Sequence, residues 1–196
     1  FFCKQYLHHT NHFERRGNTL FVQLAYRMSL HSVQSLYFFQ PKSIEQRAIH
    51  ELKYKKNMQI GNFFGNEMGK RLLKTSWLRD VDLLVPIPLH RNKELERGYN
   101  QSRVLCEGIS EATQLPISMI LKKQKAGKSA TKGNRMDRMT SRKIVFQIES
   151  KIPSNVNHIL IVDDVITTGA TLESAFQVIR KEFQGKISVV SIAHTF

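Results

Sequence analysis

Residues 159–171 read Ile159-Leu160-Ile161-Val162-Asp163-Asp164-Val165-Ile166-Thr167-Thr168-Gly169-Ala170-Thr171. Ile159 to Val162 form a continuous apolar run, the pattern of a parallel strand covered on both faces. Two adjacent carboxylates, Asp163 and Asp164, interrupt it, and a turn of small hydroxyl residues with one glycine follows. From Leu172 onward, Ala175, Phe176, Val178 and Ile179 recur at the spacing of an amphipathic helix. Strand, acidic pair, Thr-rich turn and helix together predict an α/β unit whose turn meets an anion.

The reason is electrostatic. Amides in the first turn of a helix lack intrahelical acceptors, and the helix dipole places partial positive charge there. A phosphate can accept from those amides, while Thr167, Thr168 and Thr171 offer hydroxyl donors. Gly169 permits a positive φ and a close backbone approach. The two carboxylates would repel a phosphate, so their partners are sugar hydroxyls or a magnesium ion. Vicinal hydroxyls beside a phosphate describe a ribose 5-phosphate. Neither a Gly-x-x-x-x-Gly-Lys loop nor a Gly-x-Gly-x-x-Gly fingerprint occurs, which sets aside the common nucleotide cradles.

Working outward, the rest of the chain keeps alternating strands and helices. The patterns predict a strand over 33–39 closed by Pro41, then a helix over 44–53 capped by Ser43. A helix over 61–74, a strand over 81–87, a helix over 100–113 and a strand near 117–121 follow. The series ends with a helix over 172–183 and a strand over 187–193. This alternation predicts a parallel sheet. At 196 residues and 41% hydrophobic, the chain can bury one core, with residues 1–40 as an N-terminal segment and 41–196 as the main domain.

A diphosphate cradle is expected where Pro88-Leu89-His90-Arg91 leaves a strand end and Arg97-Gly98-Tyr99-Asn100-Gln101 opens the next helix. Open α/β sheets place ligands at such strand ends. Arg91 and Arg97 can pair with phosphate oxygens, and Asn100 and Gln101 can add neutral hydrogen bonds.

The stretch 162–171 resembles the signature of the type I phosphoribosyltransferases, which bind 5-phosphoribosyl 1-pyrophosphate (PRPP). With Leu52-Lys53-Tyr54-Lys55, Pro86 to His90 and Arg97 to Gln101, it follows the order of motifs in the ComF/GntX family. The resemblance covers roughly residues 33–196. It implies an α/β fold with a parallel sheet flanked by helices, a small N-terminal strand/helix hood and a flexible basic loop. It implies that Asp163 and Asp164 hold the ribose hydroxyls and that Thr167, Thr168, Gly169, Ala170 and Thr171 take the 5′-phosphate. Pro88, Leu89, His90, Arg91, Arg97, Asn100 and Gln101 would take the pyrophosphate, and Asp163, Asp164 and Arg135 would be catalytic. The protein itself would build no metal site, because Mg²⁺ would arrive with PRPP beside Asp163 and Asp164.

Two functions follow from that resemblance. One is transfer of a phosphoribosyl group to a nitrogen nucleophile with release of pyrophosphate. The other is a non-catalytic PRPP sensor that binds single-stranded DNA during DNA uptake in natural competence. Family members carry a four-cysteine zinc ribbon at the N-terminus. Here Cys3 resembles its last cysteine, the chain reads as a fragment beginning downstream of the true start, and zinc is not expected. The family's Thr-Gln-Thr and Arg-x-x-Asn become Ser129-Ala130-Thr131 and Arg138-Met139-Thr140-Ser141.

Charge supports a polyanionic partner. Thirty Lys and Arg against 16 Asp and Glu give a net charge of +14. Within 122–143, Lys122, Lys123, Lys125, Lys128, Lys132, Arg135, Arg138, Arg142 and Lys143 face one acid, Asp137. Such a run reads equally as a flap closing over PRPP or as a nucleic-acid patch, with Tyr54, Tyr99 or Trp77 as stacking faces. His8, His9, His12 and His31 match no zinc spacing. Two cysteines suggest no disulfide framework, and no apolar run is long enough to span a bilayer. A cytoplasmic protein without membrane insertion is expected.

Overall fold

A computed structural model describes residues 7–15, 17–124 and 145–195. Within them, α1 (Thr19–Ala25), β1 (Ser32–Phe38), α2 (Ile44–Tyr54) and α3 (Met58–Leu72) precede a short 3₁₀ turn, Leu78–Asp80. Then come β2 (Leu83–Pro86), α4 (Arg91–Arg97), α5 (Gln101–Thr113), β3 (Leu121–Gln124) and β4 (Val145–Ile148). The chain continues through β5 (His158–Ile166), α6 (Ala170–Glu182) and β6 (Lys186–His194). Strands β1-β6-β5-β2, in that order, form one sheet in which every pairing is parallel, while β3 and β4 make a separate antiparallel ribbon. This is the expected α/β architecture of a parallel sheet between helices.

The apolar run at 159–162 is central because both its faces are covered. Ile159 and Ile161 join Val33, Val85, Ile187 and Val189 in a core roofed by Leu20 and Leu24 of α1 and Leu172, Phe176 and Ile179 of α6. Leu160 and Val162 join Leu84, Val190 and Ile192 in the opposite core, under Leu52 of α2, Phe64 and Met68 of α3, and Leu105 and Ile109 of α5. All four residues of the run are fully buried. Each such side chain stabilises the fold by about 1.5–3 kcal/mol relative to exposure, so this strand cannot shift register cheaply.

Helices α3 and α5 approach closely because glycines meet there. A Cβ at Gly65 would run into the carbonyl oxygen of Leu105, and one at Gly108 into that of Asn62. Ser43 caps α2 as its sequence predicts, its hydroxyl accepting from the Gln46 N–H at 3.2 Å.

The structure departs from the sequence reading in several places. Helix α1 falls in a stretch that reads as unpatterned; Asn18 caps it and donates to the Val33 carbonyl at 2.7 Å, tying it to β1. Strand β1, inside the range 1–40 set apart as a hood, is the edge of the main sheet against β6. Residues 116–118 do not form the expected strand. Leu84 N–H donates to Pro116 and Ser118 N–H to Leu84, a single parallel bridge at Ile117, and the regular strand begins only at Leu121. Helix α4 was not expected, having no buried residue to mark it in the sequence. The basic run survives only as Lys122 and Lys123 on β3; residues 125–143, with Arg135, lie outside the described residues.

Candidate functional site

Beyond Val162, its last partner residue for β2, β5 carries two carboxylates while its pairing with β6 runs on to Ile166. Asp163 Oδ1 accepts from the Asp164 N–H at 2.8 Å, and Asp164 Oδ1 from the Val165 N–H at 2.7 Å. The facial alternation breaks at this point, since Val162 and Val165 both pack toward the α5 core. Both acids are thereby held by their own backbone at the rim of the sheet, the edge where open α/β sheets bind ligands.

Asp163 is 8% exposed and also accepts from the Ser102 hydroxyl at 3.3 Å. Burial, followed by repulsion from Asp164, pushes its carboxyl up to about 7; the Asp164 amide, Lys53 and Ser102 oppose the shift. Asp164 is paired instead, its Oδ2 lying 2.9 Å from Lys53 Nζ. Two adjacent carboxylates thus occupy different electrostatic settings, one desolvated and one neutralised.

A cleft of about 150 Å³ opens on this pair, lined by Lys53, Ile87, Pro88, Leu89, Arg97, Gln101, Ser102, Lys123, Asp163, Asp164, Val165 and Thr171. The structure therefore brings together Pro88, Leu89, Arg97, Gln101, Asp163, Asp164 and Thr171 from the residues singled out in the sequence. Arg97 donates to Gln101 Oε1 at 2.8 Å and lies over the Tyr54 ring at 5.4 Å. A larger depression of about 560 Å³ along Ser29, His31, Arg180 and Lys186 sits at the opposite, N-terminal ends of the strands and contains none of these residues.

Other expected ligand residues lie off the cleft wall. Asn100 is 3% exposed and structural: its Oδ1 accepts from the Ser102 N–H at 3.0 Å and its amide donates to the Ile87 carbonyl at 3.1 Å. It caps α5 and pins the strand end that precedes Pro88. His90 caps α4, its Nδ1 accepting from the Asn92 N–H at 3.2 Å, and Arg91 is exposed beside it. Thr167, Thr168 and Ala170 are exposed on the turn into α6, next to the cleft.

That turn has the expected shape. Gly169 has φ 78° and precedes α6 without a side-chain cap, while the Ala170 N–H reaches Thr168 Oγ1 at 3.4 Å. Arg27 clasps the turn from behind, donating to the Thr168 carbonyl at 2.7 Å and pairing with Glu173 at 3.3 Å. A Cβ at Gly169 would meet Leu24 Cδ2 at 2.7 Å and Arg27 Nη2 at 2.9 Å, so the N-terminal helix shapes this loop.

Lys53, Ser102 and Lys123 are cleft residues that the sequence reading did not assign. Lys53 stands within the quoted motif 52–55, and Ser102 directly follows 97–101, so both were within reach. Lys123 belongs to the basic run that reads as a flap over PRPP or a nucleic-acid patch; burial, with repulsion from Lys93, holds its ammonium below the usual lysine range against the pull of Asp163.

The histidines pack rather than cluster. His8 binds the buried carboxylate of Glu45 through its backbone N–H, with Nδ1 at 3.1 Å. Burial, then His194, lowers His12 to about 4, the two rings lying 4.8 Å apart. Among the described residues no group of three or more His, Cys, Asp or Glu is placed to hold a metal. No described helix is long and apolar enough to cross a membrane. Of the stacking candidates, Trp77 is 5% exposed and enclosed, Tyr99 is half-buried with its hydroxyl donating to the Leu52 carbonyl, and Tyr54 is 59% exposed.

No protein-family model matches the chain. Curated proteins do. DNA utilization protein YhgH of Escherichia coli (strain K12) is 26% identical over 151 residues, 75% of this chain and 66% of that protein. Competence protein ComFC of Bacillus subtilis is 27% identical over 146 residues, 74% of this chain and 57% of that protein. Competence protein F of Haemophilus influenzae is 30% identical over 122 residues, 61% and 53% respectively. These proteins are homologues of this chain. The chain spans between about half and two thirds of their lengths. Solved structures also superpose on it. Glutamine PRPP amidotransferase from B. subtilis, complexed with ADP and GMP, covers 71% of this chain and 30% of that one, at 18% identity and TM-score 0.47. Adenine phosphoribosyl transferase from Trypanosoma brucei, in complex with AMP, pyrophosphate and ribose-5-phosphate, covers 81% and 70% at 10% identity and TM-score 0.46. Likeness at that level transfers no chemistry to this chain.

Proposed function

We propose that the cleft at the ends of β2 and β5 binds PRPP and that the protein is a phosphoribosyltransferase of the ComF type. One observation carries this reading: a desolvated acid and a paired acid converge with Pro88, Leu89, Arg97, Gln101 and Thr171 on a single cleft. Asp163 and Asp164 accept from the ribose 2′- and 3′-hydroxyls. The first amides of α6 and the hydroxyls of Thr167, Thr168 and Thr171 surround the 5′-phosphate, and Pro88, Leu89, Arg97 and Gln101 face the diphosphate. Two adjacent carboxylates beside the ribose suit magnesium carried on the ligand. Bound Mg²⁺ supplies neutralisation of diphosphate charge.

In the reaction, a nitrogen lone pair forms a bond to C1 of the ribose as the C1–oxygen bond breaks and its electron pair departs with pyrophosphate. Cations facing the diphosphate favour that departure, and carboxylates beside the ring suit the positive charge developing at C1. Arg135 would act from the segment beyond β3. The deciding experiment measures pyrophosphate release from PRPP with ammonia and a panel of nucleobases. Turnover with one acceptor supports the transferase; PRPP binding without release for any acceptor reduces the protein to a PRPP-binding module.

A second reading, single-stranded DNA contact, is favoured by the relatives' names and by the net charge of +14. Tyr54 is exposed but its ring already meets Arg97 at 5.4 Å and the His50 ring at 4.7 Å, so with Lys55 and Lys56 next in sequence it adds an aromatic among cations that a base would reach by displacing one of them. Binding would be sequence-indifferent and fall steeply with salt. Replacing Lys128, Lys132, Arg135 and Arg138 with Ser should flatten that salt slope; absence of DNA retention at low salt would remove the reading.

A further inference from the structure

Lys53 stands at a junction. It belongs to the last turn of α2, a turn anchored on the segment expected to face the diphosphate: the Tyr99 hydroxyl donates to the Leu52 carbonyl, and Arg97 lies over the Tyr54 ring. From there its ammonium reaches 2.9 Å from Asp164 Oδ2, with the two side chains 23% and 14% exposed. Lys53 thus links the acidic pair to the Arg97–Gln101 wall of the same cleft.

Accepting the reading of the cleft as a PRPP site, we infer that Lys53 determines specificity by selecting a ribose with a diphosphate on C1 over ribose 5-phosphate. In the free protein the ammonium sits 2.9 Å from Asp164 Oδ2, one of the carboxylate oxygens open to a ribose hydroxyl. A ligand lacking the diphosphate competes with Lys53 for Asp164 and offers it nothing in return. A ligand carrying the diphosphate gives the ammonium a new anionic partner on the Arg97 side. An ammonium has three donors, so Lys53 can keep Asp164 and bind a diphosphate oxygen together. Lys123 enters the same cleft from the β3–β4 ribbon, with its ammonium 5.5 Å from the Phe146 ring centroid and in the field of Asp163, whereas the ion pair with Asp164 belongs to Lys53.

The test compares the wild type, K53Q and K53R by calorimetry, titrating Mg²⁺-PRPP and, separately, ribose 5-phosphate, after each protein has shown a cooperative melt. K53Q should lose about tenfold or more in PRPP affinity, as expected for a charged hydrogen bond, while ribose 5-phosphate affinity should stay the same or rise. K53R, which keeps the charge, should retain most of the preference for PRPP. Equal losses for both ligands would mean that Lys53 only shapes Asp164 and would overturn the inference, as would unchanged PRPP affinity in K53Q. A folded wild type that binds neither ligand would instead overturn the reading of the cleft, and the inference with it.

Discussion

Replacing Asp163 with Asn should stabilise the protein, by an amount set by pH. Asp163 is 8% exposed, and its carboxyl rises from 3.8 to about 7 because burial and Asp164 disfavour its charge. The unfolded chain ionises this group near the ordinary value, whereas the folded chain holds the proton until about pH 7. Its contribution is therefore fully present below pH 4 and is lost as pH rises through 7. At ~1.36 kcal/mol per tenfold change in the ratio of charged to neutral forms, a rise from 3.8 to about 7 caps the cost of the buried charge at on the order of 4 kcal/mol above pH 7. Asparagine is never charged, and its carbonyl can still accept from the Asp164 N–H and the Ser102 hydroxyl. Urea unfolding of both proteins at several values between pH 4 and 8 should show D163N gaining on the wild type through that window, toward a plateau of about 4 kcal/mol at most. A stability difference that stays constant with pH would refute the desolvation argument. A residue that costs stability at neutral pH is what a ligand-binding acid looks like before its ligand arrives.

Gly108→Ala should cost about 1–3 kcal/mol, since its Cβ would press on the Asn62 carbonyl of α3; urea unfolding should show it with the slope unchanged. Asn100→Ala should lower stability by about 1–2 kcal/mol, a drop of about 2–8 °C in melting temperature, because both ends of its amide are used structurally. A loss of ligand affinity with no change in melting temperature would restore Asn100 as a ligand residue. Arg27→Ala should cost only about 1 kcal/mol, since its side chain is 38% exposed, yet hydrogen exchange at the amides of 168–171 should quicken.

A continuous apolar run made the central strand visible, because Ile159 to Val162 serve two cores at once. The capping serine at 43 and the acidic pair at 163–164 were equally legible, being local chemistry. What escaped was long-range. Asn100 reads as a hydrogen-bonding ligand until the Ile87 carbonyl is seen beneath it. Lys53 and Asp164 are 111 positions apart in numbering, and the packing of α2 over β5 and on the Tyr99 segment joins them. Helix α1 hid because its buried face amounts to Leu20 and Leu24 alone, too few to set a period. Helix α4 buries nothing, so its sequence carries no apolar stripe.

Calorimetric titration of Mg²⁺-PRPP into the wild type and the D163N/D164N double variant asks whether the acidic pair and its cleft form a PRPP site. Binding to the wild type should saturate and the variant should lose at least about tenfold in affinity, since charged hydrogen bonds contribute about 1.5–3 kcal/mol each. No binding by a folded wild type, or equal affinity in both proteins, would contradict that reading.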